Sequence, residues 1–215
     1  MTRLLRFSLL SALLIHLSVS SFAQKGFEGT IVYSIDVNGE GLPPEAKQMF
    51  AGSEMIMSLK GTLARTDLNM GVQKTIGISD AKAKTSYTLM DIMGQKFKIV
   101  TKTGDKQPTV TVKELTETKE IAGYTCKKAE LTIEGQTDPV VVYYTDQILN
   151  NGYNSQIKGI KGYPLEFEAA QSGMKISYAA KSVTKEAVDD SKFTPDNTGY
   201  TETTREDMMK NFGGK

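Results

Sequence analysis

The chain has 215 residues, 39% of them hydrophobic, with 26 basic side chains against 25 acidic ones. That near-neutral balance supplies no basic field for nucleic acid or an anionic membrane. One cysteine cannot form an internal disulfide.

The N-terminus reads as an export signal. Arg3 and Arg6 form a basic start, Phe7 to Val19 an apolar run, and Ser21-Phe22-Ala23 a small-x-small cleavage site. We expect a signal peptide over 1–23, a mature chain from Gln24, and one domain over 24–215, periplasmic or secreted. Spanning a bilayer takes about 20 apolar residues, and this run is shorter. No cysteine follows the cleavage site to carry a lipid anchor, and no second long apolar run follows, so no stable transmembrane anchor is expected. Losing the two arginines leaves 24 basic residues against 25 acidic ones, and the only histidine, His16, leaves with them. Without histidine there is no Ser-His or Cys-His nucleophile pair. There is equally no His-ligated zinc, copper or iron site. Catalysis would have to rest on carboxylates, lysine, tyrosine or an oxygen-bound hard cation, and no cofactor is implied.

Phe27 to Val37 alternates along its whole length, with Phe27, Gly29, Ile31, Tyr33, Ile35 and Val37 on one face. Alternation with period two predicts a half-buried strand. Asn38-Gly39-Glu40-Gly41 breaks it. Pro43-Pro44 opens a short helix through Phe50, since proline suits the first helical position. Ala46, Met49 and Phe50 are expected to dock on the sheet. Glu54 to Asn69 reads as two strands broken near Gly61, with Met55, Met57 and Leu59 on one face. Val72 to Ser79, Thr85 to Met90 and Gln95 to Thr101 alternate again, with turns at Gly71, Asp80-Ala81-Lys82 and Gly94. Thr103 to Pro108 reads as loop, and Val110 to Ile121 mixes charged and apolar residues without a clean period. Gly123 to Glu134 and Pro139 to Thr145 read as strands. Asp146 to Gly159 reads as irregular, with a turn at Asn150-Asn151-Gly152.

The best-defined hairpin follows. Leu165, Phe167 and Ala169 share a face, as do Met174, Ile176, Tyr178 and Ala180, and Ser172-Gly173 suits a tight turn. With the tip there, Phe167 faces Tyr178, Ala169 faces Ile176 and Leu165 faces Ala180. A slip by one residue would set apolar against polar. Asp189 to Tyr200 reads as loop, and Thr201 to Asn211 as a short terminal helix capped near Thr203 or Thr204. Short strands at 8–12-residue spacing with few helices predict a mainly β fold: a curved antiparallel sheet forming a half-open barrel around short helices.

Several motifs have a plain structural alternative. Lys102-Thr103-Gly104 and Ser79–Lys82 match elements of serine β-lactamases. Ser-x-x-Lys recurs at Ser155–Lys158 and Ser182–Lys185, and both the carrying helix and the Ser-x-Asn element are missing, so these carry no enzyme reading. Cys126 could be a thiol activated by Lys127 and Lys128, or a small residue packed within a strand; packing is favoured. Asp36 to Glu40 and Asp189-Asp190 have calcium-loop flavour without the ligand positions of an EF-hand. Glu166 and Glu168 form a carboxylate pair on one strand face, expected to be solvated or paired with lysines across the hairpin. Met55, Met57, Met90, Met93 and Met174 fall in or beside strands, where flexible thioethers suit varied apolar ligands or ordinary core. Tyr33, Met55, Met57, Tyr87, Phe97, Tyr143, Phe167 and Tyr178 are the candidate lining of an apolar cavity, and equally the candidate filling of a core.

Three stretches carry a resemblance: Phe27-Glu28-Gly29-Thr30-Ile31-Val32-Tyr33, Ile121-Ala122-Gly123-Tyr124-Thr125-Cys126-Lys127-Lys128-Ala129, and Gly162-Tyr163-Pro164-Leu165-Glu166-Phe167-Glu168. Together they resemble an exported Gram-negative family of unknown function related to the outer-membrane lipoprotein carriers, and more distantly to the GLPGLI family. Tyr163 stands where the latter has leucine. The resemblance implies a lipoprotein-carrier-like half-barrel with an apolar concave face that holds acyl chains. The sequence therefore leads to a non-enzymatic exported protein binding a lipid or other apolar ligand. The alternative is an envelope module with a filled core that binds a partner protein.

Overall fold

The computed structural model describes residues 26–38, 43–71, 73–100, 108–150, 157, 159–171, 174–204 and 207. The expected signal over 1–23, the Lys102-Thr103-Gly104 match, Ser172-Gly173 and Asn151-Gly152 lie outside the described residues. The strands are β1 (Glu28–Asn38), β2 (Glu54–Lys60), β3 (Leu63–Met70), β4 (Gln73–Asp80), β5 (Thr85–Ile92), β6 (Gln95–Val100), β7 (Val110–Ile121), β8 (Tyr124–Ile133), β9 (Val140–Leu149), β10 (Gly162–Gln171), β11 (Met174–Lys185) and β12 (Thr201–Thr203). Helix α1 (Pro44–Met49) follows β1. A 3-10 turn (Asp190–Phe193) precedes β12.

All twelve strands form one sheet in the order β12-β6-β5-β4-β3-β2-β1-β11-β10-β9-β8-β7. The chain starts in the middle, meanders out to β6, crosses to the opposite edge at β7 and meanders back until β11 pairs with β1. Ten strand spacings separate β6 from β7, which is about 48 Å in a flat sheet. Nine residues join Val100 to Val110, and the ten extended steps between them reach at most about 36 Å. The sheet must therefore curl, and the expectation of a mainly β, curved, unclosed sheet holds. One feature was not foreseen: β12 lies parallel on β6, which makes the sheet mixed.

Alternation does the placing. In β1, Gly29, Ile31, Tyr33, Ile35 and Val37 are buried and the residues between them are not. Across β1–β2, Ile31 faces Met57 and Tyr33 faces Met55, so the inner faces coincide. The hairpin has the expected register, Phe167 with Tyr178 and Ala169 with Ile176, in a ladder from Glu166–Ala179 to Gln171–Met174. Leu165, expected opposite Ala180, is fully buried beside a register shift between Pro164 and Glu166 on the β9 side. Such bulges add local twist. A second shift, between Val32 and Tyr33, skips Lys181 in the β1–β11 ladder. Lys181 turns out to Glu54 at 2.9 Å. Gly29 is required at its place: its φ is +156°, and a Cβ there would sit 2.1 Å from the Thr184 carbonyl oxygen.

Three local expectations are corrected. Met49 does not dock but is 59% exposed, while Phe50 does pack against the core. The side chain of α1's last residue points to water, and its carbonyl lies where a Cβ on Gly71 would be 2.6 Å away. Next, β9 continues through Asp146 to Leu149, because Ile148 is fully buried despite its polar neighbours. Third, Thr201–Thr203 is strand rather than helix. The cap expectation holds at Thr204, whose Oγ1 accepts from the Asp207 amide at 3.1 Å.

Between β11 and β12 the chain straps the outer face of β2 and β3. Lys60 Nζ donates to the Val188 carbonyl at 2.8 Å and pairs with Asp190 at 2.7 Å. The Val188 amide donates to Glu28 at 2.9 Å, and Arg65 donates to the Lys192 carbonyl at 2.8 Å. Val188 and Phe193 are buried, and so are Ile78 and Leu89 on the outer face of β4 and β5.

Candidate functional site

The inner face of β1, β2, β10 and β11 gathers five of the eight candidate residues. Tyr33, Met55, Met57, Phe167 and Tyr178 belong to one core cluster, with exposures from 0% to 7%. Phe167 is packed between the other two rings. It stacks on Tyr178, centroids 4.7 Å apart and planes at 11°, and meets Tyr33 edge-on at 6.1 Å and 70°. Tyr33 Oη donates to the Pro164 carbonyl at 2.7 Å, satisfying a buried pair. Burial, with Tyr163 beside it, holds the Tyr33 hydroxyl well above its ordinary range. Burial also raises Tyr178. Neither phenol is poised to lose a proton.

The other three candidates lie apart. Tyr87 faces Ile78 and Val100, on the outer side with Arg65. Lys98 Nζ sits 5.7 Å from its ring. Phe97 is on the inner side, at the far end of a row running Met55, Leu68, Thr75, Met90, Phe97. Leu68, Met90 and Phe97 are half-buried. Tyr143 pairs with Glu166 and Lys128, one residue out of step with Val142, which faces Phe167.

Tyr143 is the centre of a charge network that sequence reading missed. Lys119 and Lys128 lie over its ring at 5.3 and 5.5 Å. Its hydroxyl donates to Glu117, and Lys128 pairs with Glu117 at 2.8 Å. Lys119 Nζ reaches both Glu166 oxygens, at 2.8 and 2.7 Å. Glu168 pairs across the hairpin with Lys175 at 2.6 Å, as expected, whereas Glu166 turns the other way, to β7. Val141, Tyr143, Glu166, Phe167 and Glu168 line a shallow, half-open groove of about 250 Å³. Hydrogen bonds from Lys128 and Tyr143 lower the Glu117 carboxyl, and Glu117 in turn raises Lys128. Each charge in the network has an opposite partner, so the arrangement stabilises ionised forms rather than an acid–base pair with split pKa values. The signal in sequence was the lysine- and glutamate-rich β7 and β8. Their pairing depends on strand order, which no local pattern states.

Cys126 is fully buried in the core cluster. Burial pushes its thiol up to about 11, with Glu120 and Glu166 adding to the rise. Its Sγ lies 3.5 Å from the Tyr124 carbonyl. This is the packed reading, and a protonated thiol is a poor nucleophile. The acidic pairs are local caps and ion pairs: Asp36 accepts from Asn38 at 2.6 Å, Asp189 caps the 3-10 turn through the Ser191 amide at 2.8 Å, and Asp190 pairs with Lys60. Among the described residues no group of three or more His, Cys, Asp or Glu side chains could hold a metal ion.

No family model and no curated protein matches the chain. Its fold is similar to solved structures of PNGF-II in two crystal forms. One is 16% identical with a TM-score of 0.54, over 86% of this chain and 33% of that one. The other is 19% identical with a TM-score of 0.50, over 85% and 32%. The chain thus spans about a third of the length of those structures, and what it shares with them is a fold.

Proposed function

We propose that the protein is an exported, non-enzymatic interaction module whose inner face is a filled core and whose work is done on its outer surface and sheet edge. The observation that carries this reading is the packing of Phe167 between Tyr33 and Tyr178, with Met55 and Met57 beside them, all at 7% exposure or less. Rings in van der Waals contact leave no space between them for an acyl chain. Export rests on the sequence of residues 1–23. The relation to lipoprotein carriers rests on the three stretches quoted above. The test is titration of the purified mature protein with a fluorescent fatty acid. The reading predicts no saturable uptake, and stoichiometric uptake would overturn it.

A second reading keeps an apolar ligand but moves its site. On the inner side of β3 to β6, Met90 and Phe97 are half-buried at the far end of the row that starts from Leu68, which packs against the filled cluster, and passes through Thr75. It predicts that Met90→Asp abolishes fatty-acid uptake while Phe167→Leu preserves it.

A further inference from the structure

The two edges of the sheet differ in chemistry. β7 is twelve residues long, shifts register between Glu114 and Thr118, and carries Lys113, Glu114, Glu117, Lys119 and Glu120. Bulges and charges of this kind block the addition of another strand. At the other edge, among the described residues, β6 is covered by β12. Thr201 lies opposite Phe97, Glu202 opposite Lys98 and Thr203 opposite Ile99. This is the single parallel pairing among the described residues, and parallel ladders are the less stable per residue.

The cover fits unevenly. On the outer side Glu202 meets Lys98 at 3.1 Å, but the Glu202 side chain is 66% exposed, and exposed pairs contribute little. On the inner side Thr201 leaves Phe97 half-buried, while Ile99, opposite Thr203, is buried. β6 runs from Gln95 to Val100, so β12 pairs with only half of it. The strap carrying β12 is held upstream, by buried Val188 and Phe193 and by Arg65 on the Lys192 carbonyl. From 194 to 200 the chain is exposed or half-exposed, and Gly199 has a φ of +78°. β12 can therefore leave β6 while the strap stays in place.

We propose that β6 is the docking edge for an extended strand of a partner protein, and that β12 is its removable cover; this rests on the interaction-module reading. The partner strand carries apolar residues opposite Phe97 and Ile99 and acidic residues opposite Lys96 and Lys98. Lys96 now lies 5.6 Å from the Tyr200 ring, and departure of β12 frees it. A strand running antiparallel along all of β6 satisfies backbone groups that three residues cannot.

The test uses the full mature chain and a fluorescein-labelled hexapeptide of alternating valine and glutamate, followed by anisotropy. Thr201→Gly with Thr203→Gly removes the side chains that face Phe97 and Ile99 and lowers the strand propensity of β12, loosening the cover without touching β6. This double variant should bind the peptide at least about tenfold more tightly than the wild-type chain. Glu202→Lys sets like charges opposite each other and should strengthen binding several-fold, with an unchanged far-UV spectrum. Equal binding by the double variant and the wild-type chain overturns the proposal, and so does absence of binding to Glu202→Lys. Neither result bears on the filled core, which the fatty-acid titration tests separately.

Discussion

Replacing Phe167 with alanine separates a filled inner face from a hollow one. The ring is 2% exposed, stacked on Tyr178 and edge-on to Tyr33. Truncating a buried phenylalanine to alanine costs about 3–5 kcal/mol, because lost burial and a residual cavity add together. Two aromatic pairs, each worth roughly 0.5–1.5 kcal/mol, place this site in the upper half of that range. A domain of this size has a total stability of about 5–15 kcal/mol, so the change removes about a quarter or more of it. At roughly 2–4 °C per kcal/mol, the midpoint should fall by about 8–20 °C. Differential scanning calorimetry of the purified protein, with urea unfolding followed by circular dichroism, measures both numbers. Phe167→Leu, which keeps most of the volume, should cost less than half as much. If the ring lined an empty cavity, its loss would cost under about 1 kcal/mol. A Phe167→Ala midpoint within about 4 °C of wild type would refute the packing argument.

Gly29→Ala should destabilise by more than about 2 kcal/mol, since the new Cβ would sit 2.1 Å from the Thr184 carbonyl in the centre of the sheet; urea midpoints check this. Met93→Asn should stabilise by about 0.5–1 kcal/mol, because Met93 is 81% exposed and holds a φ of +52° before Gly94, a conformation asparagine tolerates better. The Cys126 thiol, raised from an ordinary 9.0 to about 11, binds its proton more tightly in the folded chain than in the unfolded one. Its contribution is therefore complete below pH 9 and is lost as pH climbs toward 11. Tyr144, raised to about 12 by burial and by Glu114, acts in the same direction at higher pH. Unfolding midpoints should fall across that window, and a thiol reagent at pH 8 should label Cys126 only after denaturant is added.

Most of the strands were legible because each has one wet side and one dry side. β1 shows this residue by residue, and Phe167 and Tyr178 meet as the hairpin register requires. Legibility failed where that contrast fades. The exposed Asp146 and Gln147 hid the last turn of β9, and Thr-Glu-Thr at 201–203 offers a helix cap and a strand on equal terms. Met49 sits at helical spacing from Ala46, yet α1 leaves it in water. Strand order could not be read at all. That β11 joins β1, and that Lys119 on β7 reaches Glu166 on β10, are long-range facts written in no local period. The candidate site suffered the same limit. Aromatic content selected Tyr87 and Tyr143 together with Tyr33, but only the assembled sheet assigns the first two to surroundings different from the third.

Native mass spectrometry of the protein, purified gently from the expressing cell, tests the filled core most directly. The packing of Tyr33, Phe167 and Tyr178 predicts a single bare species at the mass of the chain, unchanged by organic extraction. Adducts of lipid mass that vanish on extraction would contradict it and return the inner face to a ligand.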